Sequence, residues 1–179
     1  MIQAPRAAAA WWRELQPDPA DGRRGDRAAS ARLRRCATVT EAMQEAATIG
    51  LFRRVGATRP GDLPGVALTA AVLAHVRADV PGTVARTVGP GTLDKPETAK
   101  LKPLRFRRLM EAEGPDERLT TFRRLVALAD GTLPVADLAV SLLDWTEDRR
   151  RRWIYDYWNA GAPPDAPAAA ATPIGDRAG

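Results

Sequence analysis

Apolar residues three and four positions apart recur through residues 102–158, and this spacing predicts short helices in succession. Residues so spaced share one helix face and can be buried together. The four stripes are Phe106, Leu109 and Met110; Leu119, Phe122, Leu125, Val126 and Ala129; Val135, Leu138, Leu142 and Trp145; and Trp153, Ile154, Tyr157 and Trp158. We therefore expect four helices here, with these side chains in the core.

The first half of the chain shows the same periodicity. Residues 7–15 predict a helix in which Trp12 is a core residue. Thr38 and Glu41 form a capping box, which predicts one helix from Val39 to about Arg53. Residues 64–76 predict a further amphipathic helix.

Residues 79–103 contain prolines and glycines throughout, which favours an exposed connection over a continuous element. We therefore expect an all-α fold of two small helical bundles joined by a Pro/Gly-rich connection. The predicted units are an N-terminal bundle with a basic face over residues 7–78, the connection over 79–103, a C-terminal bundle with arginine clusters over 104–159, and a disordered tail over 160–179.

The composition argues against several functional classes. Cys36 is the only cysteine and His75 the only histidine, which excludes an intramolecular disulfide and a zinc site of clustered Cys and His. Asp137 and Asp144 could hold magnesium in principle, but pairing with arginine is favoured. We find no catalytic constellation and expect neither an enzyme nor a cofactor. No apolar run is long enough for a membrane span, so we expect a cytoplasmic protein without membrane contact.

The charge is modest but unevenly distributed. The chain has 27 Lys+Arg and 22 Asp+Glu, a net charge of +5, and residues 1–89 with 13 arginines and 8 acids already account for 13 − 8 = +5. On a helix, Arg27 and Arg34 share one face with Arg35 at its margin, and few acids lie nearby. This face is either a solvated surface or a phosphate contact.

The second half carries three arginine clusters. Arg105 and Arg108 fall opposite the Phe106 stripe, and Arg124 falls opposite the Phe122 stripe, so these side chains should face solvent or a partner. The run at residues 149–152 winds around more than a full turn and cannot all face one partner. One or two of its arginines should pair with nearby acids.

Three blocks in a fixed order carry a family resemblance: RF followed by RRL at residues 105–109, FRRLV at 122–126 and PVADLAVSLLDW at 134–145, with RRRRWIYDYW following at 149–158. In these blocks the chain resembles the CasB small subunit family of the type I-E CRISPR complex Cascade. The resemblance implies an all-helical, non-catalytic subunit that stabilises the complex and the R-loop. The implied partners are guide RNA, target DNA including the displaced single strand, the backbone and large Cascade subunits, and a second copy head to tail.

Arginine, whose planar guanidinium donates two parallel hydrogen bonds to phosphate, is the expected binding residue. The candidate nucleic-acid-binding residues, from the charge pattern and the resemblance together, are Arg27, Arg34, Arg35, Arg53, Lys102, Arg105, Arg108, Arg123, Arg124, Arg149 and Arg150. Two other functions stay open, a helical DNA-binding transcriptional regulator and a purely protein-binding scaffold.

Overall fold

The computed structural model describes residues 4–161, and this part of the chain is almost entirely helical. Its ten α-helices are α1 Ala4–Leu15, α2 Arg27–Arg35, α3 Val39–Met43, α4 Ala46–Arg54, α5 Leu63–Leu73, α6 Val84–Val88, α7 Pro103–Glu111, α8 Gly114–Leu128, α9 Val135–Leu143 and α10 Glu147–Trp158. Short 3-10 turns occur at Pro60–Asp62 and Pro96–Thr98. The predicted all-α class is confirmed. Of the predicted tail, residues 162–179 lie outside the described residues.

Two strands of two residues each link the halves of the chain. Strand β1, Ala78–Asp79, runs parallel to β2, Thr132–Leu133, with Ala78 opposite Thr132. The backbone N–H of Arg77 also donates to the carbonyl of Gly131 at 2.7 Å. The loop after α5 is therefore hydrogen-bonded to the loop after α8.

Helix α5 is the centre of the fold. Every residue from Val66 to Leu73 is buried, and the helix packs against α3 and α4 of the first half of the chain and against α8 and α9 of the second. The helix predicted over residues 64–76 is present as α5, but the prediction that it is amphipathic is wrong. Neighbours from both halves of the chain leave α5 no solvent face. Its apolar composition suits that position.

The two halves share one apolar core. Helix α1 packs on α9, and the buried residues of both halves form a single cluster. The connection at residues 79–103 is not exposed throughout, because α6 buries Val84 and Val88 and the chain beyond it buries Leu101. The division of the chain into two helical bundles therefore stays a prediction.

The helix predicted from Val39 to about Arg53 is two helices. Thr38 Oγ1 accepts a hydrogen bond from the N–H of Glu41, as the capping box predicts. The chain then breaks between α3 and α4, where Thr48 Oγ1 donates to the carbonyl of Ala42 at 2.7 Å. In a continuous helix that carbonyl would accept from the N–H of Ala46. At the break it accepts instead from the N–H of Glu45 at 3.3 Å, and the side chain of Thr48 adds a second, shorter bond.

The side chains predicted for the core in α1 and α10 are buried with two exceptions. Trp12 is 5% exposed, and its Nε1 donates to the carbonyl of Val76 at 3.1 Å. Trp153 is 2% exposed and Tyr157 fully buried, whereas Ile154 and Trp158 are 44% and 36% exposed. Those two lie on the side of α10 that turns away from the other helices, so their placement in the core was wrong.

Contacts between rings join α7, α8 and α10, together with Trp145 between α9 and α10. Phe106 on α7 stacks on Tyr157 of α10 with ring centroids 3.9 Å apart. Phe122 on α8 meets Trp153 edge to face at 5.7 Å, and Trp145, half-buried, meets both. The edge-to-face geometry of the contacts among Phe122, Trp145 and Trp153 is one that aromatic pairs favour. The packing fixes which faces of α7 and α8 remain outside.

Candidate nucleic-acid interface

A groove of about 720 Å³ lies along α7 and α8, and three of the predicted arginines line it. Helix α7 buries Phe106 and Leu109 and so leaves Arg105 and Arg108 on its outer side. Helix α8 buries its Phe122 stripe and leaves Arg124 exposed. The structure thus brings Arg105, Arg108 and Arg124 together.

The groove arginines, as we call Arg105, Arg108 and Arg124, have no counter-ion in the described structure. Within residues 4–161 none of the three forms an ion pair or donates a hydrogen bond to another residue. Glu111 and Glu117 also line the groove, and Glu117 Oε2 accepts from the N–H of Glu113 at 2.8 Å. The three guanidinium groups are therefore available to an anion from outside.

Arg123 lies elsewhere, although it is the neighbour of Arg124 in sequence. Its Nη1 donates to the carbonyl of Cys36 at 2.7 Å and its Nη2 to the carbonyl of Leu33 at 2.9 Å. Burial lowers the pKa of Arg123. These carbonyls belong to the last turn of α2 and the residue after it, which the arginine satisfies in the manner of a helix C-cap. The fold thus already uses Nη1 and Nη2 of Arg123.

Cys36 contributes to the same junction between α2 and α8. Its thiol is buried and donates to the carbonyl of Arg32 at 3.3 Å. Burial, together with the nearby Glu45 and Glu41, raises the pKa of this thiol. A thiol in that state is a poor nucleophile and packs as a small apolar group.

The predicted basic face on α2 is present. Asp26 caps the helix by accepting from the N–H of Ala29, and Arg27, Arg34 and Arg35 are exposed. Their guanidinium groups form no ion pair with residues 4–161, whereas Arg32 pairs with Glu45 at 2.9 Å. Three of the predicted residues therefore lie on one helix with free donors.

Arg53 is also exposed, in the last turn of α4. Its neighbour Arg54 makes two hydrogen bonds of 2.6 Å to Glu14, which fixes α4 to α1. Arg53 has no such partner in the described part of the chain. Its donors are free, but the residue lies on a different helix from the other candidates.

Most arginines of the run on α10 are paired within the helix. Arg150 pairs with Glu147 at 2.9 Å, and Arg151 pairs with Asp148 at 3.2 Å. Arg152 pairs at 3.1 Å with Asp156, which also takes an ion pair from Arg86. Three of the four therefore have partners, where one or two were expected.

Arg149 and Lys102 have less freedom than the groove arginines. Arg149 is half-buried, with its Nε shielded from solvent, and its charge acts on Asp137. Lys102 Nζ donates to the carbonyl of Glu97. Neither side chain lines the groove, so the structure separates them from Arg105, Arg108 and Arg124.

Asp79 and Asp137 have a role that the sequence pattern missed. Asp79 Oδ1 accepts from the N–H of Val135 at 2.9 Å, at the start of α9, and Asp137 Oδ2 accepts from the N–H of Val84 at 2.8 Å, at the start of α6. Each carboxylate thus caps the start of a helix in a distant part of the chain. For Asp137 the sequence had suggested magnesium binding or pairing with arginine, and not this cap. Burial raises the pKa of Asp137. Among residues 4–161 no group of three potential metal ligands occurs.

His75 is half-buried next to two arginines. Burial lowers its pKa to about 4, and the charges of Arg123 and Arg34 act in the same direction. The imidazole is therefore neutral near pH 7.

None of the helices in residues 4–161 is both long enough and apolar enough to cross a bilayer.

The sequence model of the CRISPR-associated protein Cse2 family matches residues 29–158, which is more than half of the chain. The chain belongs to the Cse2 family. Cse2 is the family that the sequence resembles under the name CasB, so that prediction is confirmed. The match covers α3 to α10, including both helices of the groove, and begins within α2.

The fold of this Cse2-family chain is also similar to that of a chain in the crystal structure of Escherichia coli Cascade bound to a PAM-containing dsDNA target. The two chains are 19% identical, the TM-score is 0.62, and the similarity covers 90% of this chain and 97% of the other. A search of curated proteins found no match.

Proposed function

We propose that this chain is the non-catalytic small subunit of a type I-E CRISPR RNA-guided surveillance complex, Cascade. Membership of the Cse2 family supports this proposal, as does the likeness in fold to a chain of Escherichia coli Cascade. Its partners would be guide RNA, target DNA including the displaced strand, the backbone and large subunits, and a second copy of the chain. Its role would be to stabilise the assembly and the R-loop.

The groove arginines are the observation that carries the nucleic-acid part of the proposal. Three exposed guanidinium groups without counter-ions line one concave surface. Guanidinium binds phosphate by two parallel hydrogen bonds, and such contacts position a backbone without reading its sequence. Guide pairing supplies sequence specificity in RNA-guided complexes, so a subunit that contacts only backbone needs no base-reading code.

The α2 face extends the proposed contact. Arg27, Arg34 and Arg35 are exposed and unpaired on one helix, and Arg53 is exposed on α4. We include these four with the groove arginines as residues that meet phosphate. Arg123 and the paired arginines of α10 support the fold that presents them.

Reconstitution tests the subunit assignment. The chain would be co-expressed with the other subunits of a type I-E complex from the same genome and a guide RNA, and the lifetime of the R-loop on matched target DNA would be compared with and without it. We expect the chain to co-purify with the complex and to lengthen the lifetime. Co-purification without any effect on the R-loop would favour the protein-binding scaffold. Absence from the complex, with tight binding to one duplex sequence, would favour the transcriptional regulator.

A further inference from the structure

The groove has an apolar floor, which contact with phosphate alone does not require. Leu101, Leu109 and Leu125 are 3%, 1% and 1% exposed, and all three line it. Ala127 and Leu128 of α8 complete the apolar side. Because Leu101, Leu109 and Leu125 are almost fully covered, the apolar surface that a ligand could touch comes chiefly from half-buried Leu128 and exposed Ala127. We call this surface, with the three leucines beneath it, the leucine floor, and the groove arginines stand beside it.

The size and charge of the groove narrow the class of ligand. Its volume of about 720 Å³ lies within the range of about 300 to 1,000 Å³ that small-molecule sites occupy. Glu111 and Glu117 would repel a phosphate in their part of the groove, so we expect a phosphate to bind beside the groove arginines instead. What fits the leucine floor is a flat, mainly apolar group attached to a phosphate.

We propose that the groove takes an unpaired nucleobase of a single strand onto its leucine floor, while the groove arginines hold the adjoining phosphates. This inference rests on the proposed function, because it assigns a ligand class to the same site. Every base has an apolar face, and guanidinium groups stack on such faces as well as binding phosphate. Bases in a duplex are stacked and paired, so the groove favours single strands over duplex of equal charge.

Two strands of equal charge separate base binding from phosphate binding. The full chain would be titrated at low salt with an oligothymidylate and with a strand of the same length made of abasic sites. Stacking of an unpaired base on an aromatic side chain is typically worth about fivefold to a hundredfold in affinity. The floor is aliphatic, so we expect a preference for oligothymidylate at the lower end of this range. The triple variant R105A/R108A/R124A should weaken the binding of both strands.

A variant that narrows the groove without changing its charge tests the floor directly. Ala127 is exposed and lines the groove, so Ala127→Leu adds volume there without disturbing the core. We expect this variant to lose most of the preference for oligothymidylate and to keep its affinity for the abasic strand. Ala46→Leu, at an exposed position at the start of α4, is the matched control and should keep the preference.

The outcomes distinguish this inference from the function on which it rests. Equal affinities of wild-type protein for the two strands would overturn base binding, and the phosphate contact would stand if the triple variant weakened both. A preference for oligothymidylate that survives Ala127→Leu would place the base elsewhere and also overturn it. Tighter binding of an acidic, leucine-rich peptide than of either strand would identify the groove as a peptide site.

Discussion

Arg123 of α8 donates from Nη1 to the carbonyl of Cys36 at 2.7 Å, just beyond the last turn of α2. The same guanidinium donates to the carbonyl of Leu33, and its third, longer bond of 3.5 Å reaches the carbonyl of Ala71 in the central helix α5. Arg124, the next residue, faces the groove on the other side of α8. Two adjacent arginines therefore lie in different surroundings: Arg123 bonds to other helices of the fold, whereas Arg124 lines the groove for which we propose phosphate contact.

We expect Arg123→Ala to destabilise the protein by about 2 kcal/mol or more, because hydrogen bonds to a charged group are lost and two carbonyls are left without their partner. Arg124→Ala should change the free energy of unfolding by less than about 0.5 kcal/mol, as exposed substitutions usually do. Urea unfolding of both variants measures the difference. Equal stabilities would show that the Arg123 bonds do not hold α8 to α2.

Asp137→Ala should cost about 1 kcal/mol, because Asp137 caps α6 through the N–H of Val84. Asp144→Ala, seven residues later at the exposed end of α9, is the control and should cost little. Thermal unfolding compares the two. A loss for Asp144→Ala as large as for Asp137→Ala would contradict the cap.

Tyr157 and Tyr155 on α10 form a second matched pair. Tyr157 is buried, and its hydroxyl donates to the carbonyl of Leu101, whereas Tyr155 is 47% exposed. Tyr157→Phe should cost about 1 kcal/mol of stability and Tyr155→Phe almost nothing. Burial also raises the pKa of Tyr157 to about 12. Ultraviolet titration should therefore show that the phenol of Tyr157 ionises only at about pH 12.

The stability of the wild-type chain should depend on His75 between about pH 6.5 and pH 4. The pKa of His75 is lowered from 6.5 to about 4 in the folded protein, so in this range the unfolded chain binds a proton that the folded chain does not. Stability therefore falls as the pH falls through this window. His75→Gln should remove this contribution, so between about pH 6.5 and pH 4 the Tm of the wild-type chain should fall more steeply than that of the variant. Parallel curves would mean that His75 does not titrate differently on folding.

Much of the local structure followed from the sequence pattern. The stripes of Phe106 and Phe122 correctly predicted the buried faces of α7 and α8. When only one side of a helix is packed, its apolar residues recur every three to four positions and mark that side. The same rule placed Arg105 and Arg108 outside. The rule failed for α5. Neighbouring helices cover all sides of α5, so the spacing of its apolar residues does not mark a solvent-facing side.

Contacts between residues distant in sequence could not be predicted in this way. The helical period places Arg124 opposite the Phe122 stripe, but nothing in the local sequence shows that Arg123 would bond to another helix. The difference arises because the end of α2 lies beside one of them, 87 residues earlier in the chain. The caps that Asp79 and Asp137 provide are missed for the same reason, because each helix start that they cap lies more than 50 residues away.

The salt dependence of R-loop stability in the reconstituted complex tests the central claim most directly. The lifetime of the R-loop would be measured across a salt series with wild-type chain, with R105A/R108A/R124A and with R6A/R13A/R59A, a control that removes three exposed arginines from α1 and the turn before α5. Our account predicts a shorter lifetime and a shallower salt slope for the groove variant, because fewer phosphates are neutralised, and near wild-type behaviour for the control. The same lifetime and slope for all three would contradict the assignment of the groove arginines to nucleic acid.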